Sequence, residues 1–331
     1  MRNTRAIDRT SPVAIWKEED MIGGERVKAM VAILRTKGCW WSKSGGCSMC
    51  GYNVESTDVN VDDLKAQLAK LLHRYEGEPM LKVYTSGSFL DENEVPATMR
   101  QELFDSFPGV RRFLVESRPE FVTEASLEAL PEGRSAIALG LESANDDVLD
   151  RSVRKGFHLK DYQRAAEVLA AGSVPLRTYL LLKPPYLTEA QAIRDTVASI
   201  EVARRTSETI SINPLNVQSH TLVEALWRRG DYRPPWLWSL VEVLRSTGGK
   251  GGPRILSTPS GGGTPRGAHN CGKCDRKILD AVERFSYTQD VRELDDLDCG
   301  CRHEWEGLLL YQDRMRTAVD LDRHLGSDQE R

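Results

Sequence analysis

The sequence predicts an α/β fold, a partial six-unit β/α barrel with a small C-terminal segment built on four cysteines. From residue 28 onward, short apolar runs alternate with amphipathic stretches, and six strand–helix units follow one another. Such alternation produces a parallel sheet with right-handed crossovers, and a doubly wound open sheet is the other arrangement compatible with it. The seven cysteines also fall into two groups, Cys39, Cys47 and Cys50 after the first strand and Cys271, Cys274, Cys299 and Cys301 near the end.

The strands are expected at 28–35, 81–85, 112–116, 136–141, 176–182 and 209–212, each a short apolar run. Between them, 62–74 repeats apolar residues at helical spacing (Leu64, Leu68, Leu71, Leu72), and 94–107, 119–130, 161–171 and 188–205 read as further helices. Residues 1–27 form an N-terminal extension and 28–247 the barrel. Residues 248–267, rich in Gly, Pro and Ser, mark a linker or loop, and 268–331 form the C-terminal segment with a polar tail at Gly326–Arg331.

Composition narrows the function classes. The protein has 331 residues and is 40% hydrophobic and 28% charged, with net charge −4 and mean hydropathy −0.44, as in soluble globular proteins. It has no apolar run of membrane-spanning length, and its first residues lack a signal peptide's apolar stretch, so a cytoplasmic address is expected. The net charge gives no global field for nucleic acid. Locally, however, Lys250, Arg254, Arg266, Lys273, Arg276 and Lys277 face Asp275 alone, which fits either a solvated linker or a phosphate-binding patch.

Chemistry in such a fold gathers at the C-terminal ends of the strands. Those ends are small and polar here: Ser86-Gly87-Ser88 after the second strand, Glu116-Ser117-Arg118 after the third, Glu142-Ser143 after the fourth, Lys183-Pro184-Pro185 after the fifth, and the run to Gln218 after the sixth. Five polar ends in register describe a ligand rim.

Cys39-x7-Cys47-x2-Cys50 lies in a glycine-bearing loop directly after the first strand. Three thiolates can wrap one face of a [4Fe–4S] cubane, and the missing fourth leaves one iron open to an exogenous ligand. In radical S-adenosylmethionine (SAM) enzymes that ligand is SAM, whose reductive cleavage starts the chemistry. The spacing departs from the commonest signature of that class, and a zinc site or buried thiols are the plainer alternatives. Under the radical SAM reading, Cys39, Cys47 and Cys50 carry catalysis. Ser86, Gly87 and Ser88 admit the methionyl ammonium, and Glu142 meets the ribose. Glu116, Arg118, Lys183 and Gln218 are candidates for SAM or substrate. Trp40 and Trp41, inside the loop, are expected to pack.

The triplet, together with YTSGSFLDENEV (84–95), VESRPEFV (115–122), IALGLESANDDVLDRSVRKGF (137–157), LLLKPPYLTEAQAI (180–193) and NPLNVQSHTLVEALW (213–227), resembles the archaeosine-forming radical SAM family (RaSEA). This family is related to the radical SAM domain of the Elongator catalytic subunit. The likeness runs over most of residues 12–305. It implies a tRNA substrate carrying, in the D-loop, a 7-deazaguanine to which a partner transferase (ArcS) has joined lysine. Radical cleavage of the C–N bond to the lysine side chain then leaves archaeosine. It also implies a reductant such as ferredoxin or flavodoxin. Other Elongator-like or methylthiotransferase-type modifiers, and a non-catalytic zinc-bearing adaptor, are the alternatives.

Cys271-x2-Cys274 and Cys299-x-Cys301, separated by 24 residues, form two knuckle-like pairs. Four thiolates suit a structural zinc first and a second iron–sulfur cluster next, and His269 and His303 stand near enough to replace a ligand.

Overall fold

A two-glycine turn opens the sheet. In the computed structural model, which describes residues 7–315, Gly23 and Gly24 both take positive φ (56° and 86°) and join β1 (Ala14–Ile22) to β2 (Glu25–Ile33) as an antiparallel hairpin. A two-residue hairpin turn with both central φ values positive selects glycine. The protein divides into two compact units. The first comprises the described residues up to 44, with 52–139 and 163–176; the second comprises 45–51, 140–162 and the residues from 177 onward.

In the first unit β2 pairs in parallel with β3 (Met80–Tyr84), β3 with β4 (Arg112–Ser117), and β4 with β5 (Ser135–Glu142). Its helices are α1 (Trp40–Lys43), α2 (Val61–Arg74), α3 (Ala97–Ser106) and α4 (Glu124–Glu128). Asn60 and Asp63 close a reciprocal capping box that fixes the start of α2. The expected helix over 119–130 is instead a 3-10 turn (Pro119–Phe121) followed by α4, because the Thr123 side chain accepts the Ser126 N–H and restarts the helix there. Likewise α3 begins at Ala97, after Pro96, rather than at Glu94.

Beyond α5 (Leu159–Ala171), the second unit carries β6 (Leu176–Leu182), whose pairing from Arg177 onward is parallel to β7 (Thr209–Pro214), which in turn pairs with β8 (Arg254–Leu256). Its helices are α6 (Glu189–Ala203), α7 (Leu222–Arg229), α8 (Leu237–Thr247), α9 (Asp275–Thr288) and α10 (Cys301–Met315).

Among the described residues there are eight strands in a mixed α/β fold, and within each unit they pair in sequence order, β1 to β5 in the first and β6 to β8 in the second. All six expected strands are present. Two more go beyond the expected set: β1 in the stretch expected as an N-terminal extension, and β8 inside the Gly/Pro-rich stretch. β1 is polar (AIWKEEDMI), and part of that polarity is explained by Lys82 of β3, which is buried and paired with Glu18 and the buried Asp20. Among the described residues no helix is long and apolar enough to cross a membrane. The tail expected at Gly326–Arg331 lies outside the described residues.

Candidate active site and metal centre

In the first unit the backbone leaves β2 through Thr36 and Gly38 into Cys39. The Thr36 hydroxyl donates to Oε2 of Glu94 (2.6 Å), and Oε1 of the same carboxyl accepts the Ser88 N–H (2.7 Å). Glu94 is buried, and burial raises its carboxyl to about 7 against the opposing pull of the Thr36 and Ser88 hydrogen bonds. This clamp sets the β3 rim against the cysteine loop. A Cβ on Gly87 would stand 2.7 Å from Cα and 2.8 Å from N of Cys39, so only a bare backbone fits there. The Ser86 hydroxyl donates to the Tyr52 carbonyl (3.2 Å), and the Ser88 hydroxyl accepts the Arg118 N–H (3.0 Å). The Glu116 carbonyl accepts the Phe89 N–H, tying β4 to the same turn. Trp40 is exposed rather than packed. Its indole N–H donates to Glu120 (3.0 Å) and the Arg118 guanidinium lies 5.7 Å from its ring centre.

In the second unit, Cys47 and Cys50 sit on a short arm, 45–51, held by backbone. The Ser48 N–H donates to the Val153 carbonyl (2.8 Å), and the Ser48 carbonyl accepts the Val223 N–H (3.3 Å). The Gly51 N–H donates to Oε1 of Gln218 (2.6 Å). Glu142 and Lys183, at the ends of β5 and β6, both have left-handed backbone (φ 68° and 61°), a conformation uncommon for residues with side chains. Glu142 pairs with Lys155 (2.8 Å). Lys183 is buried, pairs with Glu189 (2.6 Å) and donates to the Arg233 carbonyl (2.9 Å).

The same unit brings Cys271, Cys274, Cys299 and Cys301 together, with all four sulfurs within 4.8 Å of one another. Sγ separations are 3.9 Å for Cys271–Cys274 and 3.7 Å for both Cys271–Cys299 and Cys274–Cys301. Four thiolates about 2.3 Å from one tetrahedral ion stand roughly 3.8 Å apart. Two N–H groups point at these sulfurs: Trp238 Nε1 donates to Cys301 (3.3 Å) and Asn270 Nδ2 to Cys274 (3.4 Å). The backbone N–H of Lys273 lowers the Cys271 thiol to about 7, whereas burial raises Cys274. His269 instead has its Nδ1 2.8 Å from the Gly267 carbonyl, and the exposed His303 lies beside Glu306.

No family model matches the sequence. The archaeosine synthase subunit beta of Methanosarcina acetivorans is 41% identical over 315 residues, covering 91% of this chain and 91% of that protein. The present protein belongs to the archaeosine synthase subunit beta family. The family's Thermococcus kodakarensis protein is 39% identical, over 90% of this chain and 98% of its own length. Among solved structures, the archaeal Elp3 of Methanocaldococcus infernus superposes with a TM-score of 0.53 at 13% identity, over 81% of this chain and 64% of that one. The half-barrel expected from sequence is therefore the fold of this archaeosine synthase subunit beta family member, with a four-cysteine group toward its C-terminus.

Proposed function

We propose that this protein is the radical SAM subunit that completes archaeosine on tRNA. Its substrate is a 7-deazaguanine in the D-loop bearing a lysine adduct, and it cleaves the C–N bond to the lysine side chain. Family membership across nine-tenths of the sequence is the observation that carries this reading. The residues present suit the cofactors. None of Cys39, Cys47 and Cys50 is engaged in a disulfide, and each is partly exposed. Gly87 also leaves backbone-only space beside Cys39. In this reading the three thiolates hold a [4Fe–4S] cluster with one iron left for SAM. Held by Cys39, Cys47 and Cys50, such a cluster would supply the low-potential electron for reductive cleavage of SAM, and so for hydrogen abstraction from the lysine side chain.

The protein's own groups position these partners. Gln218 fixes Gly51, and with it the Cys47–Cys50 arm. Ser86, Gly87 and Ser88 present backbone to the methionyl ammonium, with Glu94 holding their turn. Glu142, paired with Lys155, accepts the ribose hydroxyls, and Glu116 flanks the same cofactor. Lys183 sets the β6 rim through its pair with Glu189 rather than by reaching solvent. At the second centre, the sulfur separations and the two N–H···S hydrogen bonds favour zinc. A cubane spreads its four thiolates over four different irons and needs wider spacing.

The partners under this proposal are tRNA, the lysine-transferring subunit and a low-potential reductant of the ferredoxin or flavodoxin class. Mass analysis of lysine-adducted tRNA, incubated with this protein, SAM, reductant and the transferring subunit, tests it. Archaeosine in place of the lysine adduct is expected. An unchanged adduct in a reaction that consumes SAM would overturn the substrate assignment.

A further inference from the structure

A buried polar network runs through the second unit from the Cys47–Cys50 arm to the four-cysteine centre. It begins at Ser48, whose hydroxyl donates to the Ser152 carbonyl (2.7 Å) while its N–H holds the neighbouring Val153 carbonyl. The Ser152 hydroxyl donates to the carbonyl of Pro185. Pro184 and Pro185 have fixed φ, so this short stretch passes displacement to Lys183 rather than absorbing it. The Lys183 ammonium binds Oε1 of Glu189 (2.6 Å), and the Ser239 hydroxyl donates to Oε2 (2.5 Å). Ser239 in turn accepts the indole N–H of Trp305 (2.9 Å). Trp305 lies one turn after Cys301 on α10, and Trp238, adjacent to Ser239, donates to the Cys301 sulfur.

Ser152, Glu189 and Ser239 are wholly buried, at 0% exposure. Bulk water has little access to these bonds, and a break leaves an uncompensated group in the interior, above all the Lys183 ammonium. Buried hydrogen bonds joined by short backbone links are a physical route by which one site can bias another.

We propose that Ser152, Glu189 and Trp305 are positioning residues that tie the Cys47–Cys50 arm to the four-cysteine centre, so that the C-terminal metal holds the arm in its cluster-binding conformation. This explains why Lys183, a rim residue by sequence, faces inward. It also gives the C-terminal centre a role in the chemistry without contact to substrate. The proposal rests on the reading of the triplet as a cluster site, and its test separates the two.

Hydrogen exchange of the full-length protein loaded with zinc, followed in residues 45–51, decides it. Glu189→Gln strips Lys183 of its counter-charge and risks unfolding, so the informative variants are Trp305→Phe and Ser152→Ala. Ser152→Ala removes one hydrogen bond and little volume, Trp305→Phe removes one hydrogen bond together with part of a buried ring, and circular dichroism confirms the fold of both. The relay requires both variants to exchange about fivefold faster than wild type in 45–51, since local opening then competes with fewer bonds. It also requires the reduced, reconstituted cluster of both variants to give an altered electron paramagnetic resonance spectrum, which a merely structural loss would not produce. Wild-type exchange in 45–51 in Trp305→Phe, with faster exchange confined to α10, overturns the relay. If the wild-type triplet binds no iron, the cluster reading falls while the exchange result still decides the relay.

Discussion

Oε1 of Gln218 accepts a 2.6 Å hydrogen bond from the backbone N–H of Gly51, joining residues 167 positions apart. A Cβ on Gly51 would lie 2.9 Å from the Ser219 carbonyl oxygen and 3.0 Å from the Gln218 Cβ, so the two segments meet closely. This contact seats the residue after Cys50 on the loop that follows β7. Gln218→Ala removes the acceptor and leaves the amide without its partner, whereas Gln218→Glu keeps an oxygen in place. Iron retained per protein molecule under a chelator challenge should fall in the alanine variant and stay near wild type in the glutamate variant.

The Glu94 clamp makes stability depend on pH. An ordinary glutamate titrates near 4.5, and here burial raises the group to about 7. Because the folded pKa is the higher one, the stability contributed by the protonated carboxyl is complete below about 4.5 and is lost as pH rises to 7. The span corresponds to about 3 kcal/mol. Asp195, raised to about 6 by burial, contributes with the same sign at lower pH. Denaturant unfolding between pH 4.5 and 7.5 should therefore show a shallower decline in Glu94→Gln than in wild type, with the two curves parallel above pH 7.

Gly87→Ala drives a methyl into Glu94 Oε1 and sets it 2.7 Å from Cα of Cys39 before relaxation. Overpacking of this kind costs about 1–3 kcal/mol. Thermal melts should show that loss, and SAM affinity should fall with it. Gly109→Ala is the control, since its Cβ would meet only the Tyr75 hydroxyl, at 3.5 Å.

The two cysteine groups should respond differently to single substitutions. Cys274→Ala removes a buried ligand of the C-terminal centre, so elemental analysis should show zinc lost and the melting temperature should drop by several degrees. Cys47→Ala should leave zinc at about one per protein molecule and abolish SAM cleavage. Equal zinc loss in both variants would contradict this division of labour.

Much of the fold is legible in the sequence because each core strand is a compact apolar run bounded by polar residues, as in LKVYT or LRTYLLL. β1 is not, since its charged residues suggest an extension until Lys82 is seen to bury beside Asp20. The Gly23-Gly24 pair before the first expected strand is the signal available for it. β8 has three residues and lies among glycines, which hide so short a run. At the site, the rim positions are legible from where the strands end. The partners that fix them are not: Gly51 for Gln218, Glu189 for Lys183 and Glu94 for Ser88. The first is remote in sequence, and the other two depend on which way a side chain turns at a helix start. Helical spacing assigns Glu94 to a helix, but Pro96 delays α3 and leaves the carboxyl free to turn inward.

Whether Cys39, Cys47 and Cys50 hold a cluster that cleaves SAM is tested most directly by quantifying 5′-deoxyadenosine. The protein is reconstituted anaerobically and given SAM and dithionite, in wild type and in the three single Cys→Ala variants. Formation of 5′-deoxyadenosine by a brown wild-type protein, abolished in each variant, is the result expected of a SAM-cleaving cluster. A colourless protein that binds only zinc and leaves SAM intact would contradict it.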